Sequence, residues 1–260
     1  MSVETKIERL FSKLFPSIYG IAVQRGYWVE RRWKKKRGLD YLKDNHPDRR
    51  YFSEFAIRSG VHSILEIGGG SQFEARMLRE RNWLSDNSYT ILDINKSWLK
   101  EGVSICPEAN FKYGSINKIP FADQKFELVY CRHVLEHQPY YERPIQEMMR
   151  VTNDYVVFNI FRWSVGADNI RRGDHYSNSY SIEKLLRFCK NLSPNMLALV
   201  VTKEGRSKIG PNVHTYENPH VRRTGDHLLI IMRKENKIKR RMVTEVANLA
   251  GVNILFDVVD

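Results

Sequence analysis

Between His62 and Lys234 the chain alternates short β-rich apolar runs with stretches of helical period. SILEI (Ser63 to Ile67), YTILDI, FKYGS, FELVYCRH and DYVVFNIF predict strands, and FEARMLRERNWL and SIEKLLRFCKNL predict helices, the second with Ser181 as its cap. Strands separated by helices predict a mostly parallel sheet covered on both faces. Two late runs, MLALVVTKE and DHLLIIMRK, predict an antiparallel hairpin at one sheet edge, with a polar loop containing Gly205, Gly210 and Pro211 between them. Before this region, Ile7, Leu10, Phe11, Leu14 and Phe15 share one helix face up to Pro16. After it, KIKRRMVTEVANLAGVNILF predicts an appended helix and strand. The expected division is a basic, mainly helical extension over residues 1–60, an α/β domain over 61–234 and a basic appendage over 235–260.

With 260 residues, 42% of them apolar and 12% aromatic, the chain can bury a sizeable core, which excludes disorder as its dominant state. No run approaches the about 18 to 20 apolar residues of a spanning helix, and MSVETKIERL lacks the layout of a secretory signal. The expected location is cytoplasmic. Cys106, Cys131 and Cys189 are odd in number, far apart and in no CxxC pair, so reduced thiols are expected rather than a disulfide framework or thiolate zinc site. The net charge of +12 is uneven: residues 1–60 hold 14 Lys/Arg against 7 Asp/Glu, 61–160 hold 11 against 13, and 161–260 hold 17 against 10. Basic flanks around a slightly acidic centre suit contact with phosphate groups, RNA or a membrane surface, or simply form solvated faces. The stretch YWVERRWKKKR, with Trp28 and Trp33 among six cations from Arg31 to Arg37, fits either a headgroup layer or a phosphate backbone, or a helix laying its stems over the core.

The sharpest local chemistry is SILEIGGGSQFE. A strand ending at Gly68, Gly69 and Gly70 before a helix lets backbone amides approach a ligand, because no Cβ intervenes and positive φ is tolerated. A dinucleotide GxGxxG would need glycine where Phe73 stands, and no Lys-Ser/Thr follows for a triphosphate loop. Asp93 ends the next strand, where a carboxylate can accept both hydroxyls of a ribose diol or, alternatively, cap the following turn.

LEIGGGSQFE, LDINKSWL, GSINKIPFADQKFELVYCRHVLEHQ and EMMRV, in this order and spacing, resemble the class I S-adenosylmethionine-dependent methyltransferases, in particular the small-molecule group with an LPF, FDLV and VLEH pattern. The likeness covers roughly residues 63–161. It implies a Rossmann-like three-layer α/β sandwich with a mostly parallel seven-stranded sheet whose final strand is antiparallel, and S-adenosylmethionine as cofactor. Carried over by residue, it assigns Glu66, Gly68, Gly69, Gly70 and Gln72 to the loop holding the methionine portion, Asp93 and Ile94 to the ribose, Ser115 and Ile116 to the adenine edge, and Arg132 and His133 to the rim where cofactor and acceptor meet. The chain departs from the family at Ser115, where an Asp is usual, at Gln72, where a glycine is usual, and at TNDY, which replaces an LKPGG turn.

His133 to His137 also fits HxxEH, a zinc-ligand spacing on a helix, but its place after an apolar strand inside the methyltransferase pattern argues for no metal. His133 or His137 is instead a candidate base or orienting group, with an ordinary helix-start histidine as the alternative. In RRGDHYSNSYSIEKL, which resembles the family's acceptor-pocket loop, His175, Tyr176 and Tyr180 are pocket candidates, and Arg171 and Arg172 suit an anionic group on the acceptor. CRHV stands where an NPPY-like tetrapeptide would signal transfer to exocyclic base amines. The expected acceptor is therefore a hydroxyl or carboxylate oxygen of a small molecule, such as a sugar or lipid-linked glycan, with peripheral membrane contact through the flanks. An RNA-directed enzyme or RNA-binding protein, and a cofactor-binding scaffold without turnover, remain the alternatives.

Overall fold

The structure is a computed structural model that describes residues 47–70, 72–164, 166–170, 176–201 and 227–250. The amphipathic segment ending at Pro16, the Trp28–Arg37 stretch, the polar loop before the last strand and the final NILF run lie outside the described residues.

Helix α1 (Pro47–Ser59) leads into strand β1 (Ser63–Ile67), α2 (Phe73–Glu80), β2 (Ser88–Asp93), α3 (Lys96–Ile105), β3 (Asn110–Tyr113), β4 (Phe126–Arg132), α4 (Glu142–Val151) and β5 (Thr152–Ile160). Then come α5 (Ile182–Leu192), β6 (Asn195–Val201), β7 (His227–Arg233) and α6 (Arg240–Ala250). The seven strands lie in the order β3-β2-β1-β4-β5-β7-β6. All neighbours through β5 are parallel, whereas β7 runs antiparallel to both β5 and β6. This is the Rossmann-like α/β sandwich with its antiparallel final strand, and the late hairpin stands at the sheet edge. Ser181 caps α5 by accepting the amide of Lys184 at 3.4 Å.

Strand periodicity divides the core. Ile64, Tyr130, Val157, Leu199 and Ile231 face a cluster shared with α1, α2, α3 and α6, while Leu65, Val129, Phe158, Ala198 and Ile230 face a second cluster shared with α4 and α5. The first cluster also draws in the segment just before β1. Tyr51, Phe52, Phe55 and Ala56 of α1 are fully buried in it, and Phe52 stacks on Tyr130 with ring centroids 3.6 Å apart. The charges in PDRRYFSEFAIRS hide this stripe from a reading by composition. Helix α6 buries Val243, Val246, Ala247 and Ala250 in the same cluster, so it too is part of the core layer.

Helix α1 runs against the direction of β5. Phe55 meets Tyr155 near the start of that strand, with ring centroids 5.2 Å apart, and Asp48 bonds Asn159 near its end. The first turn of α1 is thereby delivered to the carboxyl ends of the parallel strands, where ligands bind in open α/β sheets.

Candidate active site

The glycine bend leaves β1 at that carboxyl edge. Gly68 and Gly70 have positive φ of 73° and 42°, and the amide of Gly68 donates to Leu92 O of β2 at 2.8 Å. A Cβ on Gly68 would lie 2.4 Å from Val134 Cγ2, so the turn after β4 presses directly on the bend. A Cβ on Gly69 would lie 2.9 Å from Glu66 Oε2, which braces the bend from below.

Asp93 reaches the bend from the end of β2. Its Oδ2 accepts the Gly70 amide at 3.4 Å and its Oδ1 accepts the Asn95 amide at 2.8 Å. Burial pushes this carboxyl up to about 6, against the opposing pull of the Asn95, Gly70 and Ile94 amides. Gln72, in left-handed conformation at the start of α2, turns its side-chain amide onto Gly70 O and Trp98 O, so it ties the bend to α3. Ser115 Oγ accepts the Asn117 amide at 3.2 Å, and Ile116 is buried in the second core cluster.

Glu66 is buried with Tyr89, whose hydroxyl donates to Glu66 Oε2 at 2.9 Å. Burial, then the neighbouring Glu74 charge, raises Glu66 well above the usual carboxylate range. Glu74 is itself ion-paired with Arg49 of α1 at 2.9 Å. Glu66 thus acts from beneath the bend, through a buried network.

A second polar group converges at the ends of β4, β5 and β7. Strand alternation places Arg132 on the face of Leu128 and Tyr130, Asn159 on that of Tyr155 and Val157, and His227 on that of Leu229 and Ile231, all beneath α1. Asp48 supplies the counter-charge: Oδ2 accepts from Arg132 Nε at 3.0 Å, from His227 Nδ1 at 2.7 Å and from Asn159 Nδ2. Burial works against the Arg132 charge, but Asp48 outweighs it and raises the guanidinium's proton affinity. Arg132 therefore reaches the rim paired with Asp48.

His133 follows in left-handed conformation, φ 54°, with Nε2 3.3 Å from His227 Nδ1 and 3.8 Å from Asp48 Oδ2. Burial, then the Arg132 charge, holds its imidazole well below the usual histidine range, so it is neutral near pH 7. Asp48 and His227 escaped the sequence reading because neither lies in a motif. The available signal was parity: three apolar strand faces each end in a polar residue of the same phase.

HVLEH is not a helix. Leu135–His137 forms a single 3-10 turn, and His137 Nδ1 meets Tyr176 O at 2.7 Å while His133 faces Asp48 and His227. The two histidines take different partners. Glu136 between them is fully buried. Its Oε1 accepts the Phe161 amide at 2.6 Å, its Oε2 has no hydrogen-bond partner among the described residues, and burial pushes it up to about 7. Tyr180 donates its hydroxyl to Gln138 O at 2.6 Å and lies inside the core, not free toward an acceptor. Tyr176 is buried beside His137. His175, Arg171 and Arg172 lie outside the described residues.

These residues suit an adenosyl ligand: positive-φ glycines let it approach the backbone with no Cβ in the way, and the buried Asp93 carboxylate, which accepts the Asn95 amide and, over a longer bond, the Gly70 amide, keeps further lone pairs for a ribose diol. Residues 65–158 match the family profile described as a methyltransferase domain. The chain is 25% identical over 157 residues to the sterol 24-C-methyltransferase erg6 of Aspergillus fumigatus, a match covering 58% of this chain and 39% of the relative, so it spans well under half of that protein's length. The fold is similar to the 1,6-didemethyltoxoflavin-N1-methyltransferase of Burkholderia thailandensis, solved with 1,6-didemethyltoxoflavin and S-adenosylhomocysteine, with a TM-score of 0.54, 13% identity and coverage of 83% of this chain and 88% of that one. It is also similar to a chain of the complex containing the Haloferax volcanii Trm112 methyltransferase activator, with a TM-score of 0.51, 11% identity and coverage of 77% and 94%.

Proposed function

We propose that this class I S-adenosylmethionine-dependent methyltransferase transfers the sulfonium methyl to a hydroxyl or carboxylate oxygen of a small molecule, with a sugar or lipid-linked glycan as the favoured class. The observation that carries this reading is the contact of two strand ends: the Gly68–Gly70 bend with Asp93 on one side, and the His133–Val134 turn pressed against Gly68 on the other. This reading puts the cofactor anchor next to the turn that carries His133.

S-adenosylmethionine supplies an already activated methyl group, so the chain's task is to align the acceptor and, for a hydroxyl, to take up its proton. Gly70 and Asp93 hold the adenosyl portion, Gln72 fixes the bend, and Ser115 and Ile116 border the adenine. His133 and His137 border the acceptor side, and His175 is a further candidate for the same role. An oxygen acceptor is supported by CRHV at the end of β4, where enzymes acting on exocyclic base amines carry NPPY-like segments. The carbon acceptor in the fungal relative's name belongs to that protein.

The lipid-linked variant draws on Trp28, Trp33 and the cations from Arg31 to Arg37, which suit an anionic membrane surface; no helix among the described residues is long and apolar enough to cross a membrane. Incubating the protein with tritiated-methyl S-adenosylmethionine and cell extract split into glycan, lipid, RNA and protein fractions tests the reading. Label should enter glycan or lipid; label in RNA alone would overturn the acceptor class, and no label in any fraction the activity. Replacing Lys34, Lys35, Lys36 and Arg37 by Ser should weaken binding to vesicles containing anionic lipid.

A further inference from the structure

Asp48, His133 and His227 come from a helix before the sheet, the end of its fourth strand and the start of its last. Asp48 Oδ2, His227 Nδ1 and His133 Nε2 lie 2.7, 3.3 and 3.8 Å from one another. Three lone pairs meeting this closely repel unless protons or a cation stand between them. The spacing alone would suit a divalent ion, since a point about 2 Å from all three atoms exists. Charge argues against it: Arg132 Nε already lies 3.0 Å from the same Asp48 oxygen, and Asn159 donates to it as well, so a double positive charge would sit against a fixed guanidinium. Protons resolve the contacts without that cost. The Nδ1–H of His227 donates to Asp48, and an Nε2–H on His133 points into the same corner. That tautomer leaves the lone pair of His133 on Nδ1, turned away from Asp48.

We propose that Asp48 and His227 are positioning residues that lock the tautomer and ring orientation of His133, making its Nδ1 the base for the acceptor hydroxyl. The inference rests on the methyltransferase reading above. As the acceptor oxygen bonds to the methyl carbon, the electrons of the sulfur–methyl bond return to sulfur and the hydroxyl proton passes to His133 Nδ1. The products are a methyl ether, S-adenosylhomocysteine and an imidazolium, which later releases its proton to water. The imidazolium faces Asp48 at 3.8 Å, which stabilises it. Arg132, Arg49 and His227 also face the ring and oppose its charge, so His133 returns to the neutral form between turnovers.

The test is nitrogen-15 imidazole NMR on the full-length chain with S-adenosylhomocysteine added. At pH 7 the expected signals are Nδ1–H for His227 and Nε2–H for His133. His227 as the Nε2–H tautomer would overturn the proposal on the unmodified protein alone. In Asp48→Asn, the proton affinity of His227 should fall at least tenfold while S-adenosylhomocysteine affinity stays within about twofold; unchanged titration of both histidines in Asp48→Asn and of His133 in His227→Gln would also overturn it. So would stoichiometric zinc binding that His227→Gln abolishes, because the triangle would then be a metal site. On whichever extract fraction accepts tritium, His227→Gln should lower kcat about 10- to 100-fold with KM for S-adenosylmethionine nearly unchanged, and should move the acid limb of the pH profile. Failure to bind S-adenosylmethionine would defeat the methyltransferase reading instead, and the tautomer measurement distinguishes the two failures.

Discussion

The carboxylate of Asp93, at the end of β2, accepts the backbone amide of Gly70, just beyond the end of β1, over 3.4 Å. The bond is long, the carboxyl is almost fully buried, and its other oxygen accepts the Asn95 amide at 2.8 Å. Asp93→Ala should weaken S-adenosylmethionine binding by about 1.5 to 3 kcal/mol, the scale of hydrogen bonds lost from a charged group. Isothermal calorimetry checks this, and unchanged affinity would remove Asp93 from the site.

The same carboxyl predicts a pH dependence of binding. Burial raises it to about 6, so it favours the folded protein in its neutral form: this contribution is full below its ordinary value of 3.8 and is lost as pH rises through about 6. Ribose hydroxyls donate to the ionised form and oppose that shift. Cofactor affinity should therefore rise between pH 5 and pH 7, with protons released on binding, which calorimetry in buffers of different ionisation enthalpy detects.

Gly68 should tolerate no side chain. Its φ of 73° disfavours one, and a Cβ would lie 2.4 Å from Val134 Cγ2. Gly68→Ala should lower stability by about 1 to 3 kcal/mol. Adding Val134→Ala should restore part of the loss, because it removes the clash and leaves the backbone strain. Denaturant melts of the two single variants and the double variant give the coupling; strict additivity would refute the contact.

Glu136 should make the fold sensitive to alkali. Burial raises it from 4.5 to about 7, and one of its oxygens has no hydrogen-bond partner among the described residues. Its neutral form favours the native state, so the contribution is full below pH 4.5 and is lost as pH rises through 7. Glu136→Gln keeps an oxygen for the Phe161 amide and carries no charge. It should be more stable than the parent at pH 9, by an amount on the order of 2 kcal/mol, with no such gain at pH 5. Thermal melts at the two pH values decide this.

What could be seen in advance followed from local chemistry. Six of the seven strands carry a compact apolar run, the bend carries three glycines that free its φ angles, and Ser181 stands before a periodic segment with its hydroxyl ready for a helix amide. Helix α1 was harder to place as a core element because Asp48, Arg49 and Arg50 dominate its composition, although Tyr51, Phe52 and Phe55 decide its packing. HVLEH read as a possible helix start, but His133 takes a positive φ and Leu135–His137 closes after one turn.

The residue order by itself determined the strand and helix succession, the mostly parallel sheet and the Gly68–Gly70 and Asp93 pair, because apolar period and backbone freedom act over a few neighbouring positions. Only the tertiary structure decided that Asp48, Arg132, His133, Asn159 and His227 meet. Their meeting depends on α1 running against β5 and on β7 entering the sheet antiparallel at that same edge. Pairings between residues as many as 179 positions apart arise from packing two layers together, and short-range patterning carries no trace of them.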